Sequence, residues 1–258
     1  MRLLDRTWAE LSSSLNEQTV AVIPAGSAEQ HGLHLPLGVD TCIACALADA
    51  LADEPQALVL PPITVGISEY HRQFCGTLWA RPEAFKAYIE GILGSLKFHG
   101  LNRVLFVNGH GGNVNALQEI CRFARMQDGQ YGVVFTWFEA LAELLREIYG
   151  SPLPLHADEA ETAMMMAVRP DLLSNERLGD SAAGAGRRWG KWQSGVMVSQ
   201  EVTDFSESGA TGRPDQASAE QGRTLLDASI QAARNLFFWL SGLPREQLAS
   251  KRTPWTHP

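Results

Sequence analysis

The chain has 258 residues, of which 45% are hydrophobic, so it can bury one large core, and we expect a single domain over residues 1–258. Its formal charge of −8 argues against a nucleic-acid surface, which needs a basic patch, and favours a small-molecule substrate. Neither a signal peptide nor an apolar run of roughly 18 residues, the length of a membrane span, is evident, so we expect no membrane partner and a cytoplasmic location.

Short apolar runs alternate with longer helical patterns, which is typical of βα units. The short apolar runs predict strands that are buried on both faces. We expect strands at residues 19–24, 57–60, 103–108 and 131–136. We expect helices at residues 41–52, 82–99, 114–126, 140–149, 159–168 and 216–240. The predicted fold is therefore α/β, a three-layer α/β/α sandwich with a mainly parallel central sheet.

Residue types that bind divalent metals are concentrated in three segments. GSAEQHG (26–32) follows the first predicted strand, NGHGGN (108–113) follows the third, and HADEAET (156–162) leads into a helix. The ligand crevice of an open parallel sheet lies beyond the carboxyl ends of its strands, so these segments should meet there. The candidate residues, including one near the first segment, are Glu29, His31, Asp40, His110, His156, Glu159 and Glu161.

Imidazole and carboxylate ligands without thiolates favour a catalytic Zn, Mn or Fe site. Two ions would need neutral imidazoles, carboxylates and one bridging carboxylate, and Asp40 suits the bridge. Glu29, Asp40 and His110 would then hold one ion. His31, Asp40 and a carboxylate from segment 156–162 would hold the other. The simplest function that uses all of these residues is hydrolysis by metal-activated water, with two divalent metal ions per chain.

The motifs also resemble those of the creatininase (creatinine amidohydrolase) family over nearly the whole chain. They include GSAEQHGLHLP (26–36), NGHGGN (108–113), EYHRQFCGT (69–77) and SESGATG (206–212). The resemblance implies an α/β/α fold, a binuclear metal centre, hydrolysis of amide C–N bonds, and a homo-oligomer that is often a hexamer. It further implies that Glu29, His31, Asp40 and His110 bind metal and that His156 transfers a proton.

One ligand of the resembling family is missing here. Creatininases proper carry a carboxylate two residues after the motif histidine, where this chain has Gly112. We expect Glu161 to be the missing ligand of the second ion, with Glu159 as the next candidate. These two residues point apart on a regular helix, so only one of them should face the metals. His71 and Glu159 are predicted to bind substrate, and a hydrogen bond to a loop backbone is the alternative for His71.

The departures from the family pattern also concern the substrate. Creatininases proper have an aromatic residue where this chain has Gly111, and a Trp-Asp pair where it has residues 153–155. The expected box for a flat creatinine ring is missing, so creatinine is not the predicted substrate. Family branches with formamide deformylases, a cyclitol-ketone ring hydrolase and a mycofactocin-maturation peptidase are more similar in NGHGGN. A cyclic amide, a formamide or a similar small substrate is expected, with a peptidase or ring hydrolase as the alternative.

The sequence is also compatible with other functions and with structural roles for some of these residues. A metal-free hydrolase could use Ser27 or Ser206, although neither lies in a Gly-x-Ser-x-Gly elbow. A family member that has lost its chemistry would be a binding or assembly protein. His34 is interpreted as a turn-capping residue. Asp158 is interpreted as a helix N-cap, with a hydrogen bond to a metal-binding imidazole as the alternative. Segment 180–199, which contains Trp189, could cover the site or form an oligomer contact.

Overall fold

The computed structural model describes residues 1–150 and 156–250, which contain a main sheet, a small hairpin and flanking helices. The strands are β1 (Val20–Ala25), β2 (Ala57–Val59), β3 (Arg103–Asn108), β4 (Tyr131–Thr136), β5 (Lys191–Gln193) and β6 (Val196–Ser199). The helices are α1 (Trp8–Ser14), α2 (Val39–Asp49), α3 (Pro82–Phe98), α4 (Val114–Asp128), α5 (Trp137–Ala140), α6 (Ala142–Tyr149), α7 (Glu159–Val168), α8 (Leu178–Ala183) and α9 (Ala219–Ser241).

The main sheet is parallel, with strand order β2-β1-β3-β4. Ala25 pairs with Asn108, and Asn108 pairs with Thr136, so three strands end level with one another. The carboxyl ends of parallel strands share one edge, and the segments that follow β1, β3 and β4 therefore start side by side. β5 and β6 form a separate antiparallel hairpin.

Helices cover both faces of the main sheet. Val20 and Val22 of β1 pack into a core layer with α2, α6, α7 and α9, whereas Ala21 and Ile23 pack into a second layer with α3 and α4. The prediction of an α/β/α sandwich is confirmed. Among the described residues, no helix is both long enough and apolar enough to cross a membrane.

The four predicted strands are all present, and β3 and β4 have the predicted bounds. The helix expected at 140–149 is α6, which begins two residues later, at Ala142, and the short helix α5 before it had not been predicted. The last helix begins at Ala219 because Ser218 forms a capping box with Gln221. α1, α8 and the hairpin had not been predicted. The single domain predicted over 1–258 includes ranges outside the described residues and stays a prediction.

α7 and α9 pack closely, and this contact positions the start of α7. Asp158 caps α7, because its side chain accepts hydrogen bonds from the backbone N–H groups of Ala160 and Glu161, both at 3.0 Å. Gly222 of α9 lies against the backbone of α7, and a Cβ atom there would be 1.8 Å from the carbonyl oxygen of Ala163. The two helices can therefore approach this closely only if residue 222 has no side chain.

We expect Gly222→Ala to lower the free energy of unfolding by about 1–3 kcal/mol, because the new methyl group would push α9 away from α7. Urea unfolding measures the change. Gly91→Ala and Gly94→Ala are matched controls on α3, where an added Cβ would meet no atom within 4 Å. These controls should gain about 0.5–1 kcal/mol from helix propensity. A gain at Gly222 as well would contradict the close contact.

Candidate metal centre

Acidic and imidazole side chains meet beyond the carboxyl edge of the main sheet. The segment after β1, the first turn of α2, the turn after β3 and the residues around the start of α7 each contribute to the group. Every member is at most 6% exposed to solvent. We call this group the cluster, and its members are Glu29, His31, Asp40, His71, His110, His156 and Glu161.

Asp40 lies between two histidines of the cluster. Its Oδ1 atom is 3.0 Å from His31 Nε2, and its Oδ2 atom is 3.1 Å from His110 Nδ1. His110 Nδ1 is also 3.3 Å from Glu29 Oε1, and His31 Nε2 is 3.7 Å from Glu161 Oε2. Each histidine therefore faces Asp40 and one further carboxylate. This geometry is compatible with two ions that share Asp40.

Three histidine rings are oriented by backbone carbonyl groups. His31 Nδ1 is 3.1 Å from the Glu29 carbonyl oxygen, and His110 Nε2 is 2.9 Å from that of Ile67. His156 Nε2 is 2.8 Å from the carbonyl oxygen of Gln30. A carbonyl oxygen only accepts, so each of these nitrogens carries the proton and donates. When such a ring is neutral, its other nitrogen, which faces the cluster, keeps a lone pair, as metal ligation requires.

Some polar atoms of the cluster are buried without a hydrogen-bond partner among the described residues. They are Glu29 Oε2, Asp40 Oδ2 and His71 Nε2. An unpaired buried polar group costs about 1–3 kcal/mol, and more when it is charged. A divalent cation would compensate the carboxylates and take up their free lone pairs. The residues present therefore fit a divalent metal ion.

The electrostatics of the cluster divide its histidines into two kinds. Burial lowers the pKa of His31, but attraction to the surrounding carboxylates outweighs burial and raises that pKa to about 10. The same balance raises the pKa of His110 well above its ordinary value. Burial lowers the pKa of His71 to about 2 and that of His156 well below its ordinary value. Positive charge is thus favoured beside Asp40, and the other two rings stay neutral.

Gly112 has no room for the carboxylate that creatininases proper carry there. An added Cβ would lie 2.2 Å from the Ile67 carbonyl oxygen and 2.4 Å from Tyr70 Oη. Glu161 Oε2 lies 3.7 Å from His31 Nε2 and accepts from the Ala157 N–H at 2.6 Å. Burial raises the pKa of Glu161 to about 8. Of the two candidate carboxylates, Glu161 is therefore the one that reaches the cluster.

Glu159 points elsewhere. Its Oε2 accepts a hydrogen bond from the backbone N–H of Arg213 at 2.7 Å, outside the cluster. The two carboxylates diverge as the helical geometry predicts. The substrate-binding role predicted for Glu159 stays a prediction.

His71 faces the cluster, with its Nε2 atom 3.3 Å from Glu29 Oε1. Two aromatic residues lie next to it: Tyr70, which the sequence had not assigned to the site, and Trp189, whose segment was expected either to cover the site or to form an oligomer contact. Tyr70 Oη is 3.4 Å from His110 Nε2, and the Trp189 ring centroid is 5.7 Å from that of His71 and 5.8 Å from that of His156. Trp189 of segment 180–199 therefore lies beside the cluster, and the role of that segment as a cover stays a prediction. The alternative of an oligomer contact remains untested.

His34 lies behind the cluster and connects three segments. Its Nδ1 is 2.9 Å from Ser181 Oγ, and its Nε2 is 2.8 Å from Thr162 Oγ1. The ring is buried and joins the first motif to α7 and α8. Its role is structural, although it spans helices rather than capping a turn.

Buried imidazoles and carboxylates at the carboxyl edge of a parallel sheet are typical of metal-dependent hydrolases. The family model described as "Creatininase: Creatinine amidohydrolase" matches residues 4–237. The chain belongs to the creatininase family. It is accordingly an enzyme of the metal-dependent kind that hydrolyses carbon–nitrogen bonds.

Individual relatives agree with this family. The mycofactocin precursor peptide peptidase of Mycobacterium ulcerans (strain Agy99) is 32% identical over 232 residues, which cover 84% of this chain and 85% of the relative. A protein from Bacteroides fragilis NCTC 9343 assigned as a creatinine amidohydrolase has a TM-score of 0.76 at 22% identity, over 95% of this chain and 97% of its own. Two creatininase structures, one of Zn-Zn type and one described as Mn, each have a TM-score of 0.74 at 23% identity, over 93% of this chain and 98% of theirs. The structural matches support the fold.

We expect the buried His34 ring to make the protein less stable in acid. Burial, followed by the charge on His31, lowers the pKa of His34 to about 4. The unfolded imidazole binds a proton near pH 6.5, so between pH 6.5 and 4 the unfolded state holds the extra proton. The stability due to His34 is therefore present above pH 6.5 and is lost as pH falls to about 4.

The His34→Gln variant tests this expectation. As the pH falls over this range, its free energy of unfolding should decrease less than that of the wild type, with a difference of up to about 3 kcal/mol. Urea unfolding at neutral pH and at about pH 4.5 measures the difference. His99→Gln replaces an exposed histidine and is the control, with no change in the slope expected. An identical pH slope in wild type and His34→Gln would contradict the assignment.

Proposed function

We propose that the protein is a dinuclear-metal amidohydrolase that cleaves an amide C–N bond in a small substrate. Glu29, Asp40 and His110 would hold one ion, and His31, Asp40 and Glu161 the other. The observation that carries the proposal is the position of Asp40, which directs one carboxylate oxygen to each of two histidines. Ligands of nitrogen and oxygen suit Zn, Mn or Fe, and zinc and manganese occur in the names of solved relatives.

When bound, the two ions would polarise the scissile carbonyl group and lower the pKa of a water molecule. The chain itself supplies a proton carrier. His156 is neutral, its Nε2–H is fixed on the Gln30 carbonyl, and its bare Nδ1 faces Glu29 Oε1 at 3.8 Å. Nδ1 can accept a proton from the attacking water and pass it to the leaving nitrogen. Trp189 covers His71 and His156 and would exclude bulk water from them.

The substrate class follows from chemistry and relatives together. We infer a cyclic amide, a formamide or a similar small amide. The nitrogen of an amide is a poor leaving group unless it is protonated, and His156 lies where it could deliver that proton. A metal-dependent peptidase is the second candidate, favoured by the relative named as a peptide peptidase. A ring hydrolase of the same family is a further alternative. The residues that would replace the creatinine box, 153–155, lie outside the described residues.

The two hypotheses that need no metal chemistry, a serine hydrolase and a non-catalytic family member, have less support. The hydroxyl of Ser27 donates to Ser68 Oγ at 3.1 Å, and that of Ser206 donates to the Ala210 carbonyl oxygen at 2.6 Å. Both hydroxyl groups are thus used in hydrogen bonds that hold loops together. A member that had lost its chemistry would not need the predicted ligands, and all of them are present in the cluster. The homo-oligomer, hexameric or otherwise, and the cytoplasmic location stay predictions.

Asp40→Ala should remove both ions and reduce turnover to background, because it takes away the carboxylate shared by the two sites. Elemental analysis and hydrolysis of a panel of formamides, cyclic amides and short peptides, with and without chelator, measure both effects. Asp49→Ala is the matched control, since Asp49 lies on the same helix but forms a surface ion pair with Arg2. Full, chelator-resistant activity in Asp40→Ala would end the proposal and point to a serine hydrolase.

Trp189→Ala should raise KM about tenfold, equivalent to ~1.4 kcal/mol, because the indole lies over the histidines where substrate would bind. Metal content should not change. Steady-state kinetics on the best substrate of the panel measures the effect, and Trp8→Ala, which truncates an indole that is 82% exposed on α1, is the control. An unchanged KM would remove Trp189 from the substrate pocket and favour the interface reading of its segment.

A further inference from the structure

Gln30 lies between Glu29 and His31, two predicted metal ligands of the first motif, and is itself buried, with 4% exposure. Its side-chain Oε1 accepts from the backbone N–H of Gly32 at 2.9 Å, and its Nε2 donates to the carbonyl oxygen of Gly209 at 3.0 Å. A backbone N–H only donates and a carbonyl only accepts. The two backbone groups therefore fix which end of the amide is oxygen and which is nitrogen.

The space around this amide is closed. Gly209 has a φ of +86°, and a Cβ atom at this position would lie 2.0 Å from Gln30 Oε1. A side chain there would both strain the backbone and displace the amide. Reversing the amide would instead put an N–H against the Gly32 N–H and an oxygen against the Gly209 carbonyl. Both reversed contacts are repulsive, so the observed orientation is held firmly.

The second N–H of the Gln30 amide has two histidine nitrogens within reach. Gln30 Nε2 is 2.8 Å from His71 Nδ1 and 2.9 Å from His156 Nε2. His156 Nε2 already carries a proton, which it donates to the backbone carbonyl oxygen of Gln30 at 2.8 Å. It has no lone pair in the ring plane to accept a second proton. The amide N–H must therefore donate to His71 Nδ1.

The proton of His71 is thereby placed on its other nitrogen. With Nδ1 accepting from Gln30, a neutral His71 carries its proton on Nε2, which points at Glu29 Oε1. Nε2 has no hydrogen-bond partner among the described residues. His71 thus directs an N–H donor towards Glu29, whereas His156 directs an unprotonated nitrogen towards it. Neighbouring rings of the same tautomer offer opposite chemistry because they are turned differently.

We propose that Gln30 is a positioning residue that makes His71 a hydrogen-bond donor into the site and His156 a proton acceptor. Its side chain fixes the proton of His71, and its backbone carbonyl fixes that of His156. His71 is then not a metal ligand, since ligation through Nε2 would need the proton that the Gln30 amide keeps off Nδ1. The N–H of His71 is free to bind an oxygen of the substrate. This catalytic reading rests on the proposed function, but the proton positions do not.

The proton positions can be measured directly. Solid-state ¹⁵N NMR of protein labelled in its histidines, before and after loading with Zn²⁺, distinguishes protonated from unprotonated ring nitrogens, and His71→Asn assigns the signals of His71. We expect an unprotonated Nδ1 and a protonated Nε2 for His71 in both states. A protonated Nδ1, or a zinc-induced loss of the Nε2 proton, would overturn the proposal. The wild-type spectrum decides this whether or not any substrate is found.

The Gln30→Glu variant tests the cause. The ionised carboxylate presents only oxygen to His71 Nδ1, so the His71 proton should move to Nδ1 in the same experiment. An unchanged His71 spectrum in a folded Gln30→Glu protein would show that Gln30 does not set the tautomer. This result would overturn the proposal even if the wild-type spectrum agrees with it.

A third variant separates positioning from stability. Gln30→Met removes the amide at similar size and should lower kcat by about 10–100-fold with little change in KM, as when the supporting partner of an active-site histidine is lost. Gln130→Met is the matched control, because the buried Gln130 amide also donates to two carbonyl groups, of Leu93 and Leu101, far from the cluster. It should lose stability but keep kcat. An equal kcat in both variants would reduce Gln30 to a structural residue.

Discussion

Buried carboxylates that need positive charge govern the structure of this enzyme's site. Glu29 and Asp40 are at most 2% exposed, and each keeps an oxygen without a hydrogen-bond partner among the described residues. In their ionised form, such groups are tolerated in a protein interior when a cation or a charged histidine lies beside them. The raised pKa of His31 and the three rings fixed by backbone carbonyls are two responses to the same demand. Around Asp40, the stability of the protein and its capacity for ligand binding depend on one electrostatic balance.

The parallel sheet makes this balance possible because it lets distant parts of the chain meet without burying loops elsewhere. β1 and β3 end level, so the segments carrying Glu29 and His110 start as neighbours although they are far apart in sequence. α7 adds Glu161 from a third direction, held by the Asp158 cap and by the contact at Gly222. The cluster is thus assembled on strand ends and helix starts, which are more rigid than free loops.

The fold and much of the site could be predicted because their signals are local. Apolar runs buried on both faces mark β3 and β4, and the motif histidines mark the strand ends. The hairpin was missed although Ser194 and Gly195, both with positive φ, are typical of its turn. The placement of Trp189 could not be read, because its ring meets His71 across more than a hundred residues of chain. The role of Gln30 depends on backbone groups of Gly32 and Gly209 and is invisible before folding.

The crowding around Gly112 limits which residues this position can accept. The atoms that fill the space belong to Ile67 and Tyr70, and the Ile67 carbonyl also orients His110. A single substitution cannot restore the creatininase carboxylate here, since the loop that excludes it also holds a predicted ligand. A carboxylate at position 112 would therefore need the loop of Ile67 and Tyr70 to move, and the His110 ring would move with the Ile67 carbonyl group that holds it.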